Sequence, residues 1–131
     1  MGKSSQTIFI YRNSVMKLNS QTFILDRMVQ QWACRQRSYI SGRPAECGHH
    51  HISREYLLTR WDIKNIIPLT LEEHRAVHDG SLSYEIINPF REQYLINQKN
   101  RNFKDFLLEN GLTLAEFVKA KQAQWAERVR A

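Results

Sequence analysis

All five histidines of this 131-residue chain fall between positions 49 and 78. Three are consecutive, His49, His50 and His51, and two more, His74 and His78, stand four apart in the stretch TLEEHRAVHDG ending at Gly80. On a helix, an i, i+4 spacing projects both imidazoles from one face, close enough to share a metal ion. A set of imidazoles suits Zn²⁺, Ni²⁺ or a similar borderline ion better than the all-oxygen surroundings preferred by Mg²⁺. Such a pair taken alone is ordinary surface composition, and its context gives it weight. The turn residues SGRP (41–44) precede ECGHHHI (46–52), and a second extended stretch, DIKNIIPLT (62–70), follows. A strand, a loop, a strand and a helix would bring the three consecutive histidines back over His74 and His78.

Three metal chemistries can be separated on these residues. A zincin helix requires His-Glu-x-x-His, with the glutamate as base, and this helix reads His-Arg-Ala-Val-His, so that reading fails. A closed structural zinc site needs four protein ligands, and Cys47, His50, His74 and His78 would supply them. An open catalytic site needs three ligands, a vacant position and a separate base, and His50, His74 and His78 with His51 as the base satisfy that. Both remain open on the residues alone. Side chains alternate along a regular strand, which would place His49 and His51 on one face and His50 on the other. His49 is therefore kept as a substitute ligand or as a group supporting the ligands from behind.

The order HHI (50–52), Asn65 within DIKNI, then His74 and His78 closed by a glycine resembles the HNH nuclease motif of the ββα-metal superfamily. The helix with two histidines followed closely by glycine is most similar to that of the colicin-type DNases. The resemblance covers residues 46–80 and implies a metal-dependent endonuclease hydrolysing DNA phosphodiester bonds to 5′-phosphate and 3′-hydroxyl ends. It implies one divalent metal (zinc, nickel, manganese or magnesium) held by His50, His74 and His78. His51 would be the general base, and Asn65 would bond hairpin backbone and keep His51 oriented. Arg43, Arg54 and Arg60 would grip neighbouring phosphates. Many members carry two C-x2-C pairs for a structural zinc, and this chain has none at those places, so packing by Trp61, Ile63, Ile66, Ile67 and Leu69 must hold the hairpin. Small free-standing proteins of this kind resemble phage or prophage genome-processing nucleases. The alternative function is a non-catalytic, zinc-stabilised nucleic-acid-binding module.

The elements that must position these residues are legible in outline. The expected class is α+β, a single domain with a ββα-metal core over about residues 39–80, flanked by N-terminal and C-terminal helices. Ile24, Leu25, Met28, Val29 and Trp32 recur on one face and predict a helix over 21–37. TIFIY (7–11) predicts a short strand after a disordered start. Pro68 in the second strand predicts an edge position. Beyond Gly80 the chain reads helical to its end: Pro89 at a first helical position, a short helix near 103–109 stopped by Gly111, and a capping box from Thr113 to Glu116 that opens a last helix. These two final amphipathic helices are expected to pack on the core or on a protein partner.

The composition sets outer limits. The net charge is +6 and hydrophobic residues make up 42%, a soluble, basic balance suited to DNA or another polyanion. No apolar run is long enough for a membrane span. Two cysteines, Cys34 and Cys47, are too few for a disulfide framework, so the expected compartment is the reducing cytoplasm.

Overall fold

The computed structural model describes residues 12–86 and 88–131. The element order is α1 (Arg12–Ala33), β1 (Cys47–His50), α2 (Leu57–Arg60), a 3-10 turn (Ile63–Asn65), β2 (Ile66–Leu69), α3 (Leu71–His78), α4 (Pro89–Asn100), α5 (Phe103–Glu109) and α6 (Leu114–Arg130). The class is α+β: six helices and one antiparallel hairpin among the described residues. The strand expected at 7–11 lies outside them. Helix α1 starts earlier than its apolar stripe and stops at Ala33 instead of Arg37. The residues after it turn back to meet the hairpin, with a bridge between Arg37 and Pro44.

Strands β1 and β2 pair in the register Cys47–Leu69, Gly48–Pro68, His49–Ile67 and His50–Ile66. Among the described residues the sheet has two strands and both are edges, so Pro68 breaks no ladder there, and its carbonyl accepts from the Tyr39 N–H at 2.8 Å. Ile66, Ile67 and Leu69 are buried, as is Trp61, while Ile63 is half-buried. Gly48 lies tight against α1 and β2. A Cβ there would meet Ile66 Cγ2 at 2.9 Å and the Ala33 Cβ at 3.0 Å. Its N–H donates to Gln30 Oε1 at 2.7 Å and its carbonyl accepts from Gln30 Nε2 at 3.0 Å, so one amide side chain docks β1 on α1.

The main core joins the ends of the chain to the hairpin. Leu25, Val29 and Ala33 of α1 cluster with Leu58, Trp61 and Ile66, and with Phe117, Val118 and Trp125 of α6. Trp125 donates its indole N–H to the Trp61 carbonyl at 2.8 Å and meets Trp32 edge-on at 5.6 Å. Of the apolar stripe on α1, only Ile24 faces away from this core. The final helix is capped reciprocally by Thr113 and Glu116, and Gly111 before it has a φ of 62°, a conformation that favours glycine.

Helix α3 follows β2 at once. Thr70 caps it by accepting from the Glu73 N–H, and Glu73 reaches back to accept from the Thr70 N–H at 2.8 Å. Glu73 is buried, and Ser38 donates to it at 2.6 Å. Burial works against the carboxylate, but hydrogen bonds from Ser38, Ser41 and Thr70 outweigh it and hold Glu73 down to about 2. The helix that carries His74 and His78 is thus anchored at its first turn to the loop before β1.

Candidate metal centre

His49, His74 and His78 each offer a ring nitrogen, and these atoms lie within 4.8 Å of one another. Three imidazoles are therefore close enough to hold one metal ion. The ring centroids are 5.3 Å apart for His49 and His74, 6.1 Å for His49 and His78, and 4.9 Å for His74 and His78. His49 and His74 are half-buried and His78 is exposed, so the group opens to solvent on the His78 side. Burial first, and then the neighbouring His74 and His78, push His49 down to about 4. Burial and His78 lower His74 in the same direction. Rings that resist protonation keep the lone pairs that a cation needs.

This set differs from the sequence expectation in one member. His50 was expected beside His74 and His78, and the structure puts His49 there instead. The reason is the two-residue period of a strand: β1 stays regular through His50, which pairs with Ile66, so the neighbouring side chains diverge, His49 to His74 and His78 and His50 to the main chain at Arg60. The His50 Nε2 donates to the Arg60 main-chain carbonyl at 2.9 Å. A carbonyl only accepts, so the ring proton sits on Nε2, and Nδ1 is left as the acceptor. Burial pushes His50 down to about 4, partly offset by that carbonyl.

His51 lies on the His49 side. Its Nδ1 is 2.8 Å from the Tyr84 hydroxyl, and its Nε2 is 2.9 Å from a Glu92 carboxylate oxygen. Glu92 can only accept, so Nε2 donates and Nδ1 accepts from Tyr84. Burial and the nearby Glu92 charge raise Tyr84 to about 12, so it remains a donor. Tyr84 also meets the His49 ring edge-on at 5.8 Å. Both ring nitrogens of His51 are therefore engaged by protein groups. Tyr84 and Glu92 come from the segment after α3 and from α4, and no spacing in the sequence connects them to the histidines.

Asn65 is buried at the end of the 3-10 turn, immediately before β2. Its side-chain oxygen accepts from the Ile52 N–H at 2.7 Å. Its amide nitrogen donates to the Ile52 carbonyl at 3.1 Å and the Thr59 carbonyl at 3.0 Å. The Asn65 carbonyl accepts from the His51 N–H at 3.0 Å. One side chain thus ties the end of β1 to α2, the element that supplies the carbonyl for His50.

Cys47 stands outside the histidine group: its thiol sits 3.6 Å from the Leu69 carbonyl and 4.0 Å from that of Thr70. Burial, and then the proximity of Cys34, push this thiol up, away from the thiolate that a metal requires. The three arginines divide. Arg43 faces Glu73 at 3.7 Å and Glu72 at 3.9 Å. Arg60 and Arg54 both donate to Asp26, at 2.6 Å and 3.1 Å, and Asp26 also accepts from the Trp61 indole at 2.8 Å. Arg54 remains exposed and charges the surroundings of His50. Among the described residues no helix is long and apolar enough to cross a membrane. No family model, no curated protein and no solved structure matches the chain.

Proposed function

We propose that the protein is a metal-dependent endonuclease that hydrolyses DNA phosphodiester bonds, built on a ββα-metal core of the HNH kind. The observation that carries this reading is the pairing of two neighbours in β1. His49 joins His74 and His78 as a three-imidazole group open to solvent, while the Arg60 carbonyl holds the His50 ring proton on Nε2 and burial keeps its Nδ1 free of a second proton. Three nitrogen donors with an accessible side fit a catalytic ion better than a closed structural one, which would require a fourth protein ligand. Cys47, the nearest sequence candidate for that fourth ligand, is turned to backbone carbonyls, so the structural-zinc module is the weaker reading.

When bound, the divalent ion would neutralise charge on the phosphate and on the departing 3′-oxygen. The protein's own residues do the rest. His50 accepts a proton from the attacking water at Nδ1 as the new P–O bond forms and the P–O3′ bond breaks, and the leaving oxygen takes up a proton from solvent. A ring kept neutral by burial is available as a base at neutral pH. The Arg60 carbonyl fixes its tautomer, and Asn65 keeps that carbonyl and the end of β1 together. His51, with both nitrogens engaged, braces Tyr84 against His49 and is the poorer base. The Arg54 guanidinium lies where it can meet a phosphate flanking the scissile one. The deciding experiment is plasmid nicking by chelated protein, before and after divalent metal is restored. Nicking should appear only with metal, and undiminished cleavage in excess chelator would overturn the reading.

A further inference from the structure

The exposed face of α1 carries a groove that the hydrolytic residues do not use. It has a volume of about 620 Å³ and is lined by Phe23, Asp26, Arg27, Gln31, Cys34 and Arg35, with Gln30 beneath and Arg54 at its hairpin end. From Phe23 to Gln31 these positions recur on α1 at intervals of three and four and form one stripe, which Cys34 and Arg35 continue in the turn after the helix. From Phe23 to Gln31 the helical part of the stripe rises about 12 Å, roughly three to four base steps of one DNA strand.

Charge and position give the groove its character. The lining holds three arginines, Arg27, Arg35 and Arg54, and one carboxylate, Asp26, which is already occupied by Arg54, Arg60 and the Trp61 indole. Arg35 donates one N–H to the Val129 carbonyl at the end of α6, which anchors a five-donor guanidinium at the far end of the stripe. Phe23, midway along α1, is 62% exposed, an apolar ring beside the charged side chains of Asp26 and Arg27. The groove is also fixed relative to the histidines. Gln30 holds both backbone groups of Gly48, two residues before His50, and Arg54 belongs at once to the groove and to the surroundings of His50.

We infer that this groove on α1 is a phosphate track for duplex DNA, holding the strand that continues away from the scissile phosphate past Arg54 toward Arg35. The inference rests on the proposed nuclease reading and adds to it a binding surface outside the hairpin and α3. Arg27, Arg35 and Arg54 neutralise successive phosphates, and Phe23 packs on the sugar edge of the same strand.

Cys34 supplies a direct probe, because it is an exposed free thiol in the groove, whereas Cys47 is half-buried with its thiol pushed up. The full-length, metal-free protein is treated with a maleimide, with and without a short duplex whose binding is followed independently by fluorescence anisotropy. At a duplex concentration about ten times Kd, Cys34 should react about tenfold more slowly, since only the free fraction is open. Arg27→Glu should weaken duplex binding and reduce the log–log salt slope by about 1. Lys104→Glu, the same charge change on the exposed face of α5, should leave the slope as it was. Duplex that binds while Cys34 reacts at its free rate, with the slope unchanged in Arg27→Glu, overturns the groove and leaves the nuclease reading standing. A duplex that fails to bind with or without metal overturns both.

Discussion

His50 donates its Nε2 proton to the carbonyl of Arg60, 2.9 Å away and ten residues further along the chain. That bond distinguishes it from both neighbours. His49 turns to His74 and His78, and His51 has both nitrogens taken by Tyr84 and Glu92. Among the described residues, His50 is the one of the three consecutive histidines with a ring oriented by one nitrogen and no donor on the other.

This assigns separate phenotypes to the three. His50→Ala should retain metal and fold while losing cleavage by about 10²–10⁴-fold, the usual contribution of a general base. His51→Ala should cost much less at saturating metal. Single-turnover rates on a labelled duplex distinguish them. If His51→Ala is the slow variant and His50→Ala is not, the base is His51, as the sequence resemblance alone implies.

The metal-holding set is tested by binding instead of rate. His49→Ala, His74→Ala and His78→Ala should each weaken metal affinity and the thermal stabilisation that metal confers, and excess metal should partly restore both. Cys47→Ser should leave metal content after dialysis unchanged. Loss of metal in Cys47→Ser would make the site a closed four-ligand one, and the non-catalytic reading would then take precedence.

Much of the geometry of this candidate site was legible in the sequence, and the differences have definite physical origins. The i, i+4 histidines, the hairpin and the turn residues between its parts are local patterns, and local patterns survive folding. So are the proline at the start of α4 and the Thr113–Glu116 cap of α6. The exchange of His49 for His50 arose where two rules conflicted. Strand alternation favoured His49, and the motif resemblance favoured His50. The regular register through His50–Ile66 decides for alternation. Tyr84, Glu92 and the Arg60 carbonyl reach the histidines only through tertiary packing. A main-chain carbonyl leaves no mark in residue identity at all.

Acid should destabilise the metal-free protein in a defined window. His49 and His50 are both held down to about 4 in the fold, against about 6.5 in an unfolded chain. Between those values the unfolded state binds more protons, so stability rises with pH there. As pH falls from about 6.5 toward about 4, the melting temperature should drop, with this contribution levelling off below. His49→Ala and His50→Ala should each flatten the dependence in that range. Melting curves of chelated protein across the window provide the check, and a flat profile would mean that the two rings are not held neutral by the fold.

Asn65→Asp isolates the role of the Asn65 amide with almost no change in shape. The carboxylate can still accept from the Ile52 N–H, but it loses both donations, to the Ile52 and Thr59 carbonyls. It also sets a negative oxygen against two carbonyl oxygens in a buried place. Leaving buried partners unsatisfied costs about 1–3 kcal/mol each, and more where a charge is involved. Stability should therefore fall by at least about 2 kcal/mol in chemical denaturation. The effect on function should exceed the effect on fold. Asn65 joins the end of β1 to the segment that carries the Arg60 carbonyl, so loosening it frees the His50 ring. Cleavage should then drop in protein that is still fully folded and metal-loaded at low temperature. The His50 ring signals in NMR spectra should broaden or shift, while those of His74 and His78 hold. A folded, metal-loaded Asn65→Asp variant that cleaves at the parent rate would show that the hairpin orients His50 without Asn65.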